Sequence, residues 1–264
     1  MKILNDYLHS AFLKILSGTL MRRREVLNGV WNNKKTLVIS FDCDYGQDMM
    51  ACEKILSILG MEGVHASFAL TGRLAQEFPK VVDSILHDGH EVINHTYTHP
   101  PNFRKLPVSK KFEEVSLFQD LMKDVFGIIV KGFRAPHLLW HKQKDLFNVL
   151  TRLSLFDSSL IGYGVQEVEG IIEIPLTPFP DVENLPFCTH HHFRMPIISS
   201  SQHFFIKRWK MLLSQHKFIN VYLDPRDLAS SDQLLSDLIH TALNHDFCLS
   251  TLQDVWKQTK IKSL

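Results

Sequence analysis

Short apolar runs alternate with longer helix-like stretches along most of this 264-residue chain. The runs are TLVISFD (36–42), HASFAL (65–70), HEVIN (90–94), IIVKGFR (128–134), LFDSS (155–159), GIIEIPL (170–176), KFINVYLD (217–224) and DFCLST (246–251). Each has the length and the β-branched or aromatic content of a strand. Between them, helices are predicted near 47–59, 74–87, 110–126, 143–153, 202–215 and 231–244. Repeated strand–helix units with short apolar strands predict an α/β fold, a parallel sheet covered by helices. About seven such units in one domain favour a (β/α) barrel over an open sheet, and a barrel gathers its working residues at the C-terminal ends of its strands. In this reading residues 35–264 form the barrel domain and 1–34 a helical N-terminal extension.

The extension repeats Ile3, Leu4, Tyr7, Leu8, Phe12, Ile15 and Leu16 at helical spacing, with Asn5, Asp6, His9 and Lys14 interrupting the apolar run. Such interruptions suit neither a spanning helix nor a signal peptide. The favoured expectation is a helix packed on the main domain. The alternative, suggested by the Met21–Arg24 stretch MRRR, is peripheral contact of residues 1–24 with a membrane surface. A cytoplasmic location is expected, at the inner membrane surface in the second case.

Composition narrows the chemistry. A net charge of +1 gives no broad basic footprint, so no nucleic-acid partner is expected. The 15 histidines put metal or acid–base chemistry forward. The four cysteines, Cys43, Cys52, Cys188 and Cys248, form no C-x-x-C pair and are expected to be reduced thiols.

The strand ends then stand out. The first carries Asp42 and Asp44, one residue apart and so on one face of a strand. Like charges that close repel, and such a pair marks either a surface turn or a site with a cation or a base in it. The third strand ends at His95 and His99, the fourth at Arg134, Pro136 and His137, the fifth at Asp157, and the seventh at Asp224 and Asp227. Five polar clusters at five strand ends favour the site. Two histidines at H-x3-H spacing plus a carboxylate suit Zn²⁺, and the same set serves Fe(II). The glutamate of H-E-x-x-H is missing, which disfavours a metalloprotease.

The order D-x-D, H-T-x-x-H, G-F-R-A-P, D-S-S over roughly 36–250 resembles the polysaccharide deacetylase family, carbohydrate esterase family four with its NodB-homology domain. The resemblance implies a distorted (β/α) barrel that removes N-acetyl groups from sugars with a divalent metal. It implies Asp42 as general base, Asp44, His95 and His99 as metal ligands, and Arg134 as the residue orienting Asp42. Zn²⁺ is the expected ion, with Fe, Co, Ni or Mn as alternatives. Pro136, His137 and Trp140 are the expected substrate-binding residues; Trp140 either stacks on the sugar or packs on the barrel. Asp157 and Ser158 also read as a helix N-cap.

One departure stands out. The family carries a histidine general acid near the end of the seventh strand, where this chain has Asp224 in YLDPRDL. A buried carboxylic acid can do that work, with an alkaline limb expected at lower pH than a histidine gives. The alternative acid is in CTHHHF, the loop bearing His190–His192. The expected substrate is a small, lipid-linked or nucleotide-linked N-acylated amino sugar. A non-sugar C–N amidase on the same barrel and a silent carbohydrate-binding homologue are the rivals.

Overall fold

Thr36–Cys43 is buried at every position, so its alternating side chains must satisfy two different apolar environments. Leu37, Ile39, Phe41 and Cys43 pack outward among Met49, Cys52 and Ile55, whereas Val38 joins Ala69, Ile93, Phe156, Ile174 and Phe218 in a separate inner cluster. Asp42 shares the inner face with Val38 and Ser40. Cys43 therefore lies on the helix side, as alternation requires, with its sulfur 3.9 Å from that of Cys52. All four cysteines are free.

In this computed structural model the described residues are 24–194, 201–229, 231 and 233–260, with 8, 10–15 and 18. Seven parallel strands make the curled sheet: β1 (Thr36–Cys43), β2 (Ser67–Leu70), β3 (Glu91–Asn94), β4 (Gly132–Phe133), β5 (Phe156–Asp157), β6 (Ile171–Glu173) and β7 (Phe218–Leu223). Their order is β7-β1-β2-β3-β4-β5-β6. No ladder joins β6 to β7. Residues 174–177 bridge that gap irregularly: Ile174 N–H donates to Asp157 (2.9 Å), Leu176 to Leu160 (2.8 Å) and Thr177 to Asn220 (2.8 Å). That bridge is the distortion in the barrel, and the Asn220 side-chain amide reinforces it by donating to the Ile174 carbonyl at 2.9 Å.

The helices are α1 (Gly46–Glu62), α2 (Gly72–Glu77), α3 (Pro79–His87), α4 (Val108–Phe126), α5 (Lys144–Arg152), α6 (Thr189–Phe193), α7 (Gln202–Gln215), α8 (Pro225–Leu228), α9 (Leu234–Leu243) and α10 (Leu252–Lys260). The helix predicted at 74–87 is two helices, because Pro79 cannot extend α2 but starts α3 well at its first turn. The strand predicted at 128–134 shrinks to two residues. Gly127 ends α4 in the left-handed region, and Ile128 N–H returns to the Met122 carbonyl, so the start of that run serves the helix end.

The last run contributes only Cys248–Leu249, paired with the start of β1. Three pairings carried no strong alternation and were not anticipated: Val26–Asn28 with Ile161–Tyr163, Gln166–Val168 with β6, and Pro178–Phe179 with Val182–Pro186. Helix α10 was also unforeseen; Leu252 and Val255 on it plug the inner cluster from the N-terminal end.

In the extension, Leu13 is buried in the main core and Ser10 Oγ donates to Asp181 at 3.1 Å, so these residues do pack on the domain. Leu8 and Ile15, by contrast, are 43% and 62% exposed. Ile3, Leu4, Tyr7, Leu16 and Met21 lie outside the described residues. No described helix is long and apolar enough to cross a membrane.

Asp157 and Ser158 cap no helix; the chain runs on from β5 to Ile161–Tyr163. Asp157 is wholly buried, accepting from Ser158 N–H at 2.9 Å, and sits beside the equally buried Glu173, which accepts from Leu160 N–H at 2.9 Å. Burial lifts Asp157 to about 6, and burial together with the Asp157 charge lifts Glu173 well above the ordinary range. The pair therefore holds a proton that the unfolded chain releases near pH 4. The native state binds the extra proton, so this contribution to stability is intact below the unfolded value and declines as pH rises through the folded one. Glu173→Gln supplies a permanent N–H donor to Asp157. Between pH 5 and 8 the parent should lose more stability than this variant, by on the order of 1–3 kcal/mol in urea melts. Parallel pH dependences would rule out a shared proton.

Candidate active site

Asp42 leaves β1 on the inner face and meets Arg134, which follows β4. Arg134 Nη1 donates to Asp42 Oδ1 at 2.6 Å, and Arg134 is fully buried. Its Nε donates to the Ser158 carbonyl at 3.0 Å and its Nη2 to Ser158 Oγ at 3.1 Å. Ser158 Oγ in turn accepts from Asn220 Nδ2 at 3.1 Å. A guanidinium held on three sides can turn only slightly, so Asp42 is fixed in direction.

Asp44 lies just beyond. Its Oδ1 is 3.2 Å from His95 Nε2 and 3.3 Å from His99 Nε2. The three ligand atoms lie within 4.8 Å of one another. His95 Nδ1 sits 2.8 Å from the Arg134 carbonyl, which can only accept, so that nitrogen carries a proton and Nε2 is the atom turned toward Asp44. Asp44 Oδ1 and His99 Nε2 are buried without a hydrogen-bond partner. These two orphaned atoms, with His95 Nε2 beside them, fit a divalent cation. Burial opposes the charge on Asp44, but His95, then His99 and Arg226, outweigh it and hold the carboxyl well below the usual range. Burial, reinforced by His95, pushes His99 down to about 4, a neutral imidazole suited to ligation.

The loop carrying the histidines is strained and braced. Thr96 and His99 both have positive φ, 67° and 55°, which costs a β-branched residue most. Asn94 Oδ1 accepts from Thr96 N–H at 2.8 Å, and Glu114 on α4 accepts from Thr98 N–H at 2.8 Å and Thr98 Oγ1 at 2.7 Å. Gly72 lets the Tyr97 ring lie against α2: a Cβ there would come within 2.3 Å of it. Behind Asp44, Asp48 accepts from the backbone N–H of Asp44 (3.1 Å) and of Tyr45 (3.0 Å) and from Arg226 Nη1 (2.8 Å). Glu114 and Asp48 escaped the sequence reading because single acids on helices look solvated; for Asp48 the S/T/D-x-x-E/Q-like spacing after Tyr45 was the one available signal.

These groups open onto a cleft of about 280 Å³, the small end of the range for ligand pockets. Asp42, Asp44, His95, His137, Trp140 and Asp224 all line it. Pro136 does not: it is buried behind the wall, and Leu138 takes the lining position. His99 stands behind its partners, its ring 4.9 Å from that of His137. Arg24, Arg104 and Tyr222 also line the cleft and were not anticipated.

The His190–His192 stretch is a one-turn helix, α6, rather than a loop. His190 and His191 line the cleft, whereas His192 is buried away from it with Nε2 3.2 Å from the Ser201 carbonyl. His191 lies 2.9 Å from Cys188 Sγ, and burial pushes it down to about 3. His190 Nδ1 is 3.8 Å from Asp224 Oδ2. Asp224 is 2% exposed, and burial lifts it to about 9; Asp42, Asp227 and Asp44 add to the rise and Arg194 opposes it. Arg194 Nη2 stands 3.0 Å from Asp224 but not in line for a hydrogen bond. Burial thus puts Asp224 above the ordinary histidine value near 6.5, reversing the order expected from the sequence.

The family described as polysaccharide deacetylase matches residues 30–154. A peptidoglycan-N-acetylglucosamine deacetylase of Bacillus cereus is 32% identical over 105 residues, 40% of this chain and 37% of that protein. A chitooligosaccharide deacetylase of Azorhizobium caulinodans is 28% identical over 127 residues, 48% of this chain and 58% of that one. The match thus spans less than two thirds of either relative. A Mycobacterium smegmatis structure assigned to the polysaccharide deacetylases superposes with a TM-score of 0.77 over 91% of this chain and 96% of that one, at 16% identity. That likeness is one of fold.

Removal of Glu114 tests whether the brace matters to the trio. Zinc titrated against a chelator should bind Asp44→Ala or His99→Ala with no stoichiometric site, and Glu114→Ala about 10–100-fold more weakly than the parent, the scale for lost outer support. Unchanged affinity in Glu114→Ala would show that the loop holds its own shape.

Proposed function

The chain belongs to the polysaccharide deacetylase family, and from that premise we propose that it hydrolyses the N-acyl group, an acetyl in the simplest case, of an amino sugar. One observation carries the reading: the Asp44–His95–His99 trio and the Arg134-bound Asp42 open into the same small cleft.

Asp44, His95 and His99 would hold a divalent cation, zinc in this reading, which when bound supplies a lowered water pKa and a polarised amide carbonyl. Asp42, with one oxygen fixed by Arg134, takes the proton of the attacking water at the other. Water oxygen bonds to the carbonyl carbon, the C–N bond breaks, and a carboxylate and a free amine leave. Asp224, protonated at neutral pH in its buried setting, gives its proton to the departing nitrogen. Arg134 holds Asp42 in place throughout and exchanges no proton.

Release of acetate from N-acetylated sugars, with zinc or cobalt added, tests the activity; a protein that only binds sugar would release none. Asp42→Asn should keep its metal and lose at least about a hundredfold in rate, the usual scale for a missing general base. An acid must be protonated to act, so the rate should fall as pH rises through about 9. Asp224→Asn should lose most activity with metal content unchanged, and Asp224→His should move the alkaline limb. If Asp224→Asn matches the parent in rate and pH profile, the acid is elsewhere, and His190 is the next group to replace.

A further inference from the structure

The charges around the cleft are almost all matched, and the exception is cationic. Arg134 is engaged by Asp42 and Ser158, Arg194 by Asp227, and Arg226 by Asp48. Arg24 lines the same cleft, is 8% exposed, and has Nε and Nη1 buried with no hydrogen-bond partner among the described residues. Its guanidinium carbon lies 6.0 Å from the Trp140 ring centre, and that of Arg104 lies 4.4 Å from the same ring. Arg104 also lines the cleft, and no carboxylate pairs with it among the described residues. Burial lowers Arg24 to about 10, which leaves it charged at neutral pH.

The backbone beside Arg24 is held in place. Glu25 N–H donates to the Trp140 carbonyl at 2.7 Å, Glu25 Oε2 accepts from Lys142 N–H at 3.2 Å, and Val26–Asn28 pairs with Ile161–Tyr163. A buried guanidinium with unmet donors is costly unless something anionic answers it. Its planar fork matches an oxyanion better than a lone hydroxyl.

We propose that the cleft takes an N-acylated sugar bearing an oxyanion, a phosphate ester or a carboxylate, and that Arg24 and Arg104 bind this group at the Trp140 wall. This inference rests on the sugar-amide reading above and narrows its substrate class. The cleft then offers Asp42, Asp44 and His95 to the amide and the two arginines beside Trp140 to the anion.

The test is calorimetric titration of the full chain loaded with zinc. The probes are N-acetylglucosamine 1-phosphate, N-acetylmuramic acid and neutral N-acetylglucosamine. At least one acidic sugar should bind ten times or more tighter than the neutral one, with an advantage that shrinks as salt is added. Which of the two binds tighter distinguishes phosphate from carboxylate. Arg24→Gln should erase most of the advantage, and Arg24→Lys should keep part of it. A preference below tenfold in the parent overturns the proposal without any variant. A preference that persists undiminished in a folded Arg24→Gln also overturns it, since another group, the metal included, then holds the anion. Acidic sugars that bind through Arg24 but release no acetate leave this inference standing and remove the deacetylase reading. Turnover of the neutral sugar with no acidic preference does the reverse.

Discussion

A buried ion pair is the constraint from which the rest of the structure follows. Arg134 is completely enclosed and Asp42 is 5% exposed, so both charges have left water. Desolvation of that kind is repaid only when geometry is good and the remaining donors are answered. Here Nε and Nη2 are answered by Ser158, whose hydroxyl also accepts from Asn220 and donates to the Ile174 carbonyl at 2.8 Å. Those last groups belong to the irregular bridge that joins β6 to β7. Closure of the barrel and the fixing of Asp42 are thus one hydrogen-bond network. Loss of Asp42 or Arg134 leaves the other as an unpaired buried charge, a change far larger than the bond itself.

The network also explains why the barrel interior changes character along its axis. Val38, Ala69, Ile93, Phe156 and Phe218 fill the N-terminal half as an ordinary apolar layer, plugged by α10. Two residues further along the same strands, Ser40 and Asn220 replace them, and then come Asp42 and Tyr222. The apolar half supplies rigidity, and the polar half lies where strand ends release side chains toward solvent. Strained backbone concentrates at that same end, at Thr96, His99, His137 and Leu138. Such conformations persist only where the surroundings over-determine them; for the histidine loop, Glu114, Asn94 and Gly72 provide that.

Much of this was legible in the sequence, for a reason of period. Strands apolar on both faces and helices between them gave the seven parallel strands, and D-x-D with H-x3-H brought Asp42, Asp44, His95 and His99 to one end. What could not be read were features with no period. The 174–177 bridge, the Val26–Asn28 pairing and α10 depend on tertiary hydrogen bonds. Pro136 was misplaced from the wall because a proline in G-F-R-A-P and its neighbours on a turn with positive φ do not reveal which side chain faces inward. Arg24 was taken with Met21–Arg24 as part of a basic surface stretch; only the fold shows that it turns into the cleft.

The two candidate general acids that the sequence set against each other are neighbours in space. Helix α6 closes over the end of β7: Cys188, just before it, bridges to Tyr222, and Thr189 Oγ1 accepts from the Asp224 N–H at 2.9 Å. His190 therefore faces Asp224, and Arg194, one turn on, faces both Asp224 and Asp227. The replacement at position 224 thus cannot be weighed alone. Arg194 stabilises the ionised carboxylate, whereas burial and three other acids favour the proton, and burial is the largest influence. With burial in the lead, Asp224 is pushed up to about 9. His190, half-exposed and pushed down by burial and by Arg194, is poorly placed to hold one. Between two groups 3.8 Å apart, burial keeps the proton on the carboxyl and off the imidazole.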